Sequence, residues 1–228
     1  MNGNAVIDPI GPAQDPDEPF DVLRADGTPT GLVKPRAAIH RDGDWHRALH
    51  VWVVAVDAAG TACLLFQRRS PHKDTWPLRL DATVGGHYRA GETLTETLRE
   101  IDEELGINPD GLVLRPLGVR VGANEAQPGI IDREIQDVFL LRDYRPLEAY
   151  RPNPAELAAL VQFPLATLIP ALAGETDALR GLAIAPGAAH AEPLTVGMDA
   201  FIPTVDQYYL RVAIAAQSVI RGDRYVAV

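Results

Sequence analysis

An acidic stretch follows a pair of glycines near the middle of the chain. The stretch VGGHYRAGETLTETLREIDEELGI runs from Val84 to Ile107 and holds six acids and one arginine within thirteen residues. The acids are Glu92, Glu96, Glu100, Asp102, Glu103 and Glu104, and the arginine is Arg99. Carboxylates gathered in this way suit either a solvated helix face or a site for a hard cation such as Mg²⁺.

A helix from about Leu94 to Leu105 would separate these carboxylates from its apolar residues. At about 100° per residue, the last three glutamates lie within roughly 80° of Glu96, and the aliphatic side chains lie opposite. Like charges at these spacings repel by a few tenths of a kcal/mol per pair, and the stretch contains no lysine. A bound cation would convert this repulsion into attraction. The spacing alone leaves both the metal site and the solvated face open.

Glycines precede the helix at positions where a ligand could approach the backbone. Gly85 and Gly86 permit close backbone contact, and Gly91 marks a second turn. A turn with free carbonyl groups directly before an acidic helix favours a metal site, and a simple chain reversal is the alternative.

The surrounding sequence predicts the elements that hold this helix. Residues 1–18 predict a flexible N-terminal arm, and residues 19–228 predict a single domain. Strands are predicted in FDVLRADGTPTGLVKPRAAIH (two around a turn), in the hairpin RALHVWVVAVDAAGTACLLFQRR, and in LVLRPLGVRVGA, REIQDVFLLRDY and AALVQFPL. A short helix to about Leu172, an irregular segment over residues 174–203 and a closing amphipathic helix in TVDQYYLRVAIAAQSVIRG complete the prediction. This mixture predicts an α/β fold in which helices flank a mixed sheet.

Composition limits the classes of partner. The 228 residues carry a net charge of -10, which disfavours binding to duplex nucleic acid but allows a phosphorylated small molecule bridged by a cation. The one cysteine, Cys63, excludes an internal disulfide and fits a reducing compartment. No apolar run reaches the roughly 18 residues of a membrane span, and the N-terminus lacks signal-peptide features. We therefore expect a cytoplasmic protein with no membrane partner.

The acidic stretch resembles the Nudix box, G-x5-E-x7-R-E-U-x-E-E-x-G-U with U aliphatic, which is the signature of the Nudix hydrolase superfamily. The matching residues are Gly86, Glu92, Arg99, Glu100, Ile101, Glu103, Glu104, Gly106 and Ile107. Six residues rather than seven separate Glu92 from Arg99. The shortening should leave the helix carboxylates in place. The contact that it could disrupt is the one between the side chains of Glu92 and Arg99, called the Glu92–Arg99 brace below.

The resemblance implies a fold, a reaction and a set of roles. The fold is an α/β/α sandwich around a central mixed sheet, here with an N-terminal β extension and a C-terminal helix. The reaction is Mg²⁺-dependent, or Mn²⁺-dependent, hydrolysis of a small-molecule diphosphate by water attack at phosphorus, in a protein that could form a homodimer. The implied metal ligands are Glu100, Glu103, Glu104 and the carbonyl of Gly85. The catalytic candidates are Arg99, Glu103, Glu104 and, on a facing strand, Glu134.

A second resemblance covers roughly residues 20–172. AAIHRDGDWHRALHVWVV, LLFQRRSPHKDTWP, GGH and DREIQDVFLL look like Nudix proteins related to isopentenyl-diphosphate isomerase. In the true isomerase a metal is held at positions that correspond here to His40, His46, His87, Asp132 and Glu134. This donor set suits a transition metal, and the alternative is that the histidines are structural and Glu134 an exposed strand residue.

Two features bear on substrate and reaction type. The isomerase has a cysteine just before its third histidine, where this chain has DATVGGH. That difference favours hydrolysis, with isomerase-like activity and a non-catalytic binding module as alternatives. Arg68, Arg69 and Lys73 form the nearest cluster of positive charge to the acidic stretch and are candidates for diphosphate binding, because guanidinium groups bind phosphate through two hydrogen bonds. A solvated strand end is the alternative for these three.

Overall fold

The computed structural model describes residues 14–57 and 59–228, and of residues 126 and 127 it describes the backbone alone. Residues 1–13 of the predicted arm therefore lie outside the described residues. The remainder of that segment is hydrogen-bonded to the chain that follows it. The carbonyl groups of Pro16 and Glu18 accept hydrogen bonds from the amides of Ala37 and Arg36, at 3.0 and 2.8 Å.

Strands outnumber helices along the described chain. The strands are β1 Pro19–Leu23, β2 Pro29–Pro35, β3 Trp45–Val56, β4 Ala62–Arg69, β5 Leu80–Asp81, β6 Val84–His87, β7 Leu114–Gln127, β8 Ile130–Asp143, β9 Leu157–Pro164, β10 Ala178–Ile184 and β11 Glu192–Gly197. The helices are α1 Arg36–Asp42, α2 Leu94–Thr97, α3 Arg99–Leu105, α4 Leu165–Leu172 and α5 Tyr208–Arg221. Two short 3₁₀ turns lie at Leu147–Ala149 and Met198–Ala200.

One mixed sheet joins the strands of the described residues. Its main path runs β11-β10-β9-β4-β3-β1-β2. The long strand β3 pairs antiparallel with β6 in its first half and with β4 in its second half. On its other edge β3 runs parallel to β8, which pairs antiparallel with β7. The predicted mixed sheet and the N-terminal β extension are confirmed.

Helices cover both faces of this sheet. Side chains alternate along β3, so Trp52 and Val54 pack with α4 and α5 while Val51 and Val53 pack with α3. These four side chains are fully buried, and each such burial contributes about 1.5–3 kcal/mol. The arrangement confirms the predicted α/β/α sandwich and its C-terminal helix.

Two segments differ from the sequence prediction. The prediction that residues 174–203 are irregular is wrong, because β10 and β11 form a hairpin there and β10 also pairs with β9. The close approach depends on Gly181, where an added Cβ would lie 2.3 Å from the carbonyl oxygen of Gln162. Helix α1 was not predicted; it ends at Asp42, and its C-cap residue Gly43 has a φ of 67°.

Within the described ranges, no helix has the length and apolar character that a membrane crossing requires.

Candidate functional site

The predicted acidic helix is divided into two short helices. Thr93 and Glu96 form a capping box at the start of α2, with the Thr93 amide donating to Glu96 at 2.8 Å. Leu98, with φ −61° and ψ −11°, lies between α2 and α3. Ile101 and Leu105 are fully buried on the core side of α3. Their burial directs Glu100, Glu103 and Glu104 to the opposite side, as the spacing predicted.

Beside the glycine turn, Glu104 is buried and the side chain of Glu100 is 14% exposed. Glu104 is 1% exposed, and its Oε2 accepts hydrogen bonds from the amide of Gly85 at 3.2 Å and from Gln67 Nε2 at 3.4 Å. Burial raises the pKa of Glu104 well above its usual value, and burial raises the pKa of Glu100 to about 7. Desolvated carboxylates of this kind favour a cation as their partner.

Arg99 orients the acids at the mouth of the site. Its Nη1 donates to Glu100 Oε1 at 2.6 Å and to Glu103 Oε2 at 2.9 Å, and the guanidinium also binds Glu92. The side chain of Glu103 is 46% exposed, so this carboxylate faces solvent while the other two helix glutamates are enclosed.

Gly86 and Gly85 contribute to the site in different ways. A Cβ on Gly86 would lie 2.3 Å from Cγ of Glu100, so a side chain there would displace the glutamate. The amide of Gly85 points away from β3 toward Glu104. A residue in a strand directs its N–H and C=O to the same edge, so the Gly85 carbonyl also faces the carboxylate cluster.

A cleft of about 150 Å³ contains these groups. Its walls include the three helix glutamates, the glycine pair and four cations, Arg36, Lys73, Arg89 and Arg99. The cations give the cleft positive charge beside its carboxylates. Such a combination can hold a divalent metal and an anionic oxygen ligand together.

The three predicted phosphate-binding residues lie in different places. Lys73 is buried in the cleft and forms an ion pair with Glu156. Arg68 is exposed and donates to the carbonyl of Leu78. Arg69 is buried and donates to Thr75 at 2.9 and 3.0 Å. Neither arginine lines the cleft, whereas Arg36 and Arg89, which the sequence did not single out, do.

The five residues of the second predicted donor set lie together across β6 from the cleft. The ligand atoms of His40, His46 and His87 lie within 4.8 Å of one another, and so do those of His46, Asp132 and Glu134. His87 Nε2 is 2.9 Å from Glu134 Oε1, and Asp132 Oδ1 is 3.7 Å from His46 Nε2. Register explains the grouping, because β3 places His46 beside Glu134 of β8.

Several atoms of this set are buried without a hydrogen-bond partner among the described residues. They are His40 Nε2, His46 Nε2 and Asp132 Oδ1. Burial lowers the pKa of His40 to about 4 and of His87 to about 3, which leaves both rings neutral at pH 7. Neutral imidazoles with unpartnered ring nitrogens next to a carboxylate fit a transition-metal ion.

A further cavity lies beyond this set, between the sheet and α5. It contains His50 and Tyr208 together with Gly85, His87 and Glu134. His50 was not predicted as a site residue. Its position in the sequence could have indicated it. Alternate residues of a strand share a face, so His50 lies on the same face of β3 as the predicted ligand His46.

A family model described as the NUDIX domain matches residues 46–181, which is more than half of the chain. The chain belongs to the NUDIX family. The matched range contains both glycines, the acidic helix and four residues of the second donor set, His46, His87, Asp132 and Glu134. The residues that resemble the Nudix box therefore lie within the matched domain, and Gly86, Arg99 and the three glutamates of α3 line the cleft.

Relatives of this Nudix protein include hydrolases and isomerases. The chain is 39% identical over 152 residues to Nudix hydrolase 3 of Arabidopsis thaliana, covering 65% of this chain and 19% of that protein. It is 32% identical to an uncharacterized Nudix hydrolase of Clostridium acetobutylicum, covering 63% and 69%. It is also 33% identical to the isopentenyl-diphosphate Delta-isomerase of Paenarthrobacter aurescens, covering 58% and 68%.

A solved structure shares the Nudix fold. Protein DR0079 from Deinococcus radiodurans superimposes with a TM-score of 0.52 at 25% sequence identity, covering 69% of this chain and 90% of that chain.

The thiol of this Nudix protein lies away from the candidate site. Cys63 lines a different cavity beside Ala55 and Tyr144, and burial raises its pKa to about 11. Gly85 and Gly86 are the residues that precede His87 in the site. An acid or base acting on carbon would therefore have to be a group other than cysteine.

Proposed function

We propose that this Nudix protein is a Mg²⁺-dependent hydrolase that cleaves the diphosphate bond of a small organic substrate. The observation that supports the proposal most strongly is the pair formed by the buried Glu104 and the largely enclosed Glu100 next to the free edge of Gly85. Burial raises the pKa of both carboxyl groups because the enclosed site disfavours their charged form, and a bound cation would stabilise that form. A hard divalent cation is the ligand that such oxygen donors fit.

The chain's residues then take separate roles. Glu100, Glu104 and the Gly85 carbonyl hold Mg²⁺, with Glu103 as a further ligand at the mouth. The bound cation neutralises diphosphate oxygens and makes phosphorus more electrophilic. Lys73 and Arg36 provide positive charge for the remaining phosphate oxygens inside the cleft.

Water reaches the site on the side of Glu103. This glutamate is the exposed member of the helix trio, and Arg99 fixes one of its oxygens by a 2.9 Å hydrogen bond. We assign Glu103 as the group that accepts the proton of the attacking water. Glu134, hydrogen-bonded to His87, is the alternative base on the far side of β6.

The donor set of His40, His46, His87, Asp132 and Glu134 is proposed as a second metal site. Its unpartnered ring nitrogens favour Zn²⁺ or Mn²⁺ over Mg²⁺. The same set, together with the isomerase relatives, is the observation in favour of a prenyl-diphosphate isomerase-like activity. The position of Cys63 opposes that second function.

A substrate panel tests the proposal. Nucleoside diphosphates, sugar nucleotides, dinucleotides and prenyl diphosphates are incubated with wild-type protein in Mg²⁺, in Mn²⁺ and in EDTA, and phosphate-containing products are measured. Metal-dependent hydrolysis of at least one class is expected. Alkene isomers without hydrolysis would favour the isomerase, and metal binding without turnover of any class would favour a binding module.

A further inference from the structure

The cavity between the sheet and α5 opens onto the same glycine turn as the acidic cleft. Both are lined by Gly85, Gly86 and His87, so a ligand bound to the helix carboxylates can extend around β6 into the cavity. The cavity holds about 70 Å³, which is room for a few water molecules or one compact group. Its lining is largely polar and includes Arg120, Asn124 and Gln136, side chains that the second metal set does not use.

A hydrogen-bonded chain at the base of this cavity fixes the tautomer of His50. Trp52 Nε1 donates to the hydroxyl oxygen of Tyr208 at 2.9 Å, because an indole nitrogen can only donate. The buried Tyr208 hydroxyl then needs an acceptor for its own proton, and His50 Nδ1 lies 2.9 Å away. Nδ1 is therefore the acceptor, and the imidazole proton is on Nε2.

The Nε2–H group of His50 is a donor available to the cavity. His50 is 7% exposed, and its hydrogen bond among the described residues is made through Nδ1. In register, β3 places His50 opposite Gly85, so no side chain of β6 stands between the ring and the glycine turn. His50 Nε2 is not among the buried unpartnered atoms of the described residues, so this donor is open to water in the cavity, and a ligand oxygen could take the place of that water.

We propose that His50 recognises a hydroxyl oxygen of the organic group that the substrate carries on its diphosphate, and that Tyr208 is the positioning residue that keeps the proton on Nε2. The proposal rests on the proposed diphosphate site. The polar lining of the cavity favours a compact hydroxylated group, such as a pentose, over an isoprenoid chain, because an apolar chain would displace water from these polar side chains without hydrogen bonding to them.

Binding of a non-hydrolysable diphosphate tests the proposal separately from catalysis. Calorimetry in Mg²⁺ compares α,β-methylene-uridine diphosphate with its 2′,3′-dideoxy form. The His50→Asn variant keeps an acceptor for Tyr208 at the place of Nδ1 and lacks the Nε2–H donor. We expect about tenfold weaker binding of the hydroxylated probe by this variant and less than a threefold change for the dideoxy probe.

The role of Tyr208 is tested by measuring the tautomer of the His50 ring. Nitrogen-15 NMR of the wild-type protein should show His50 protonated on Nε2, and Tyr208→Phe should populate both tautomers and weaken binding of the hydroxylated probe by a smaller factor. A proton on Nδ1 in the wild type, equal binding of the two probes, or no binding of either would overturn the proposal.

The two proposals fail in different ways. Hydrolysis of a diphosphate at an unchanged rate by His50→Asn, with equal probe binding, contradicts the role of His50 and leaves the hydrolase assignment intact. Binding of the probe that depends on His50, without hydrolysis of any diphosphate in the panel, contradicts the hydrolase assignment and supports the recognition role.

Discussion

Arg99 binds Glu92 through two hydrogen bonds, from Nε to Oε1 at 3.0 Å and from Nη2 to Oε2 at 3.2 Å. The segment between them is one residue shorter than in the Nudix box. The break at Leu98 between α2 and α3 accommodates the shortening, and Arg99 begins α3 with its guanidinium on the glutamate side. The Glu92–Arg99 brace, which the shortened spacing could have disrupted, is therefore present.

The guanidinium group of Arg99, which binds several carboxylates at once, should be required for both hydrolysis and stability. Arg99→Lys keeps the charge but cannot bind Glu92 through two bonds while also binding Glu100 and Glu103. We expect at least about tenfold slower hydrolysis and about 1–3 kcal/mol lower stability in urea unfolding. Arg68→Lys, at an exposed position outside the cleft, is the control. Equal losses in the two variants would contradict this role of Arg99.

Gly86 and Gly85 should differ in their tolerance of a methyl group. A Cβ on Gly86 would lie 2.3 Å from Cγ of Glu100, whereas on Gly85 the nearest atom is Gln67 Nε2 at 3.3 Å. We expect Gly86→Ala to lower the free energy of unfolding by about 1–3 kcal/mol and Gly85→Ala to lower it by less. Chemical denaturation checks the order, and the reverse order would be inconsistent with the packing of Glu100.

The contribution of Glu100 to stability without metal should fall as pH rises. Burial raises the pKa of Glu100 from 4.5 to about 7, so the folded state binds more protons than the unfolded state between these values. The free energy of unfolding then decreases by about 3 kcal/mol across that window. Glu100→Gln should remove this component, and urea unfolding in EDTA at pH 5 and pH 8 measures it. A stability difference between wild type and variant that is the same at both pH values would refute it.

The second donor set should bind a transition metal independently of the helix glutamates. We expect His46→Asn to weaken Zn²⁺ binding, measured by competition with a chromophoric chelator, by at least about tenfold, because it removes one of the clustered ring nitrogens. His72→Asn is the control, since His72 is exposed and outside the cluster. Wild-type protein that binds no Zn²⁺, or two variants with equal affinity, would show that the histidines are structural.

The sequence predicted the features whose periodicity is strong. The β3–β4 hairpin, the glutamate side of α3 and the closing helix α5 each follow from the spacing of apolar residues. The hairpin of β10 and β11 was missed because its sequence is rich in glycine, alanine and proline, and its strand structure depends on pairing with β9. Tertiary pairing overrides weak local preference in such segments.

The residues of the candidate site could be predicted from the sequence where they match a known motif. Contacts between distant residues were not, since Lys73 meets Glu156 and His50 meets Tyr208 across 83 and 158 positions. No local pattern encodes these pairs. Arg36 likewise reaches the cleft because α1, an unpredicted helix, carries it beside His87, with Arg36 Nη1 3.2 Å from His87 Nδ1.

The most direct test of the account compares Glu104→Gln and Glu103→Gln with Asp102→Asn on the same helix. Glu104 and Glu103 line the cleft, whereas Asp102 is exposed and outside it. The measurement is phosphate release in Mg²⁺ from any diphosphate that the wild-type protein cleaves. We expect each glutamate variant to be slower by at least ~100-fold and Asp102→Asn to retain the wild-type rate. Glutamate variants that hydrolyse the substrate as fast as the wild type would contradict the assignment of these carboxylates as the metal site.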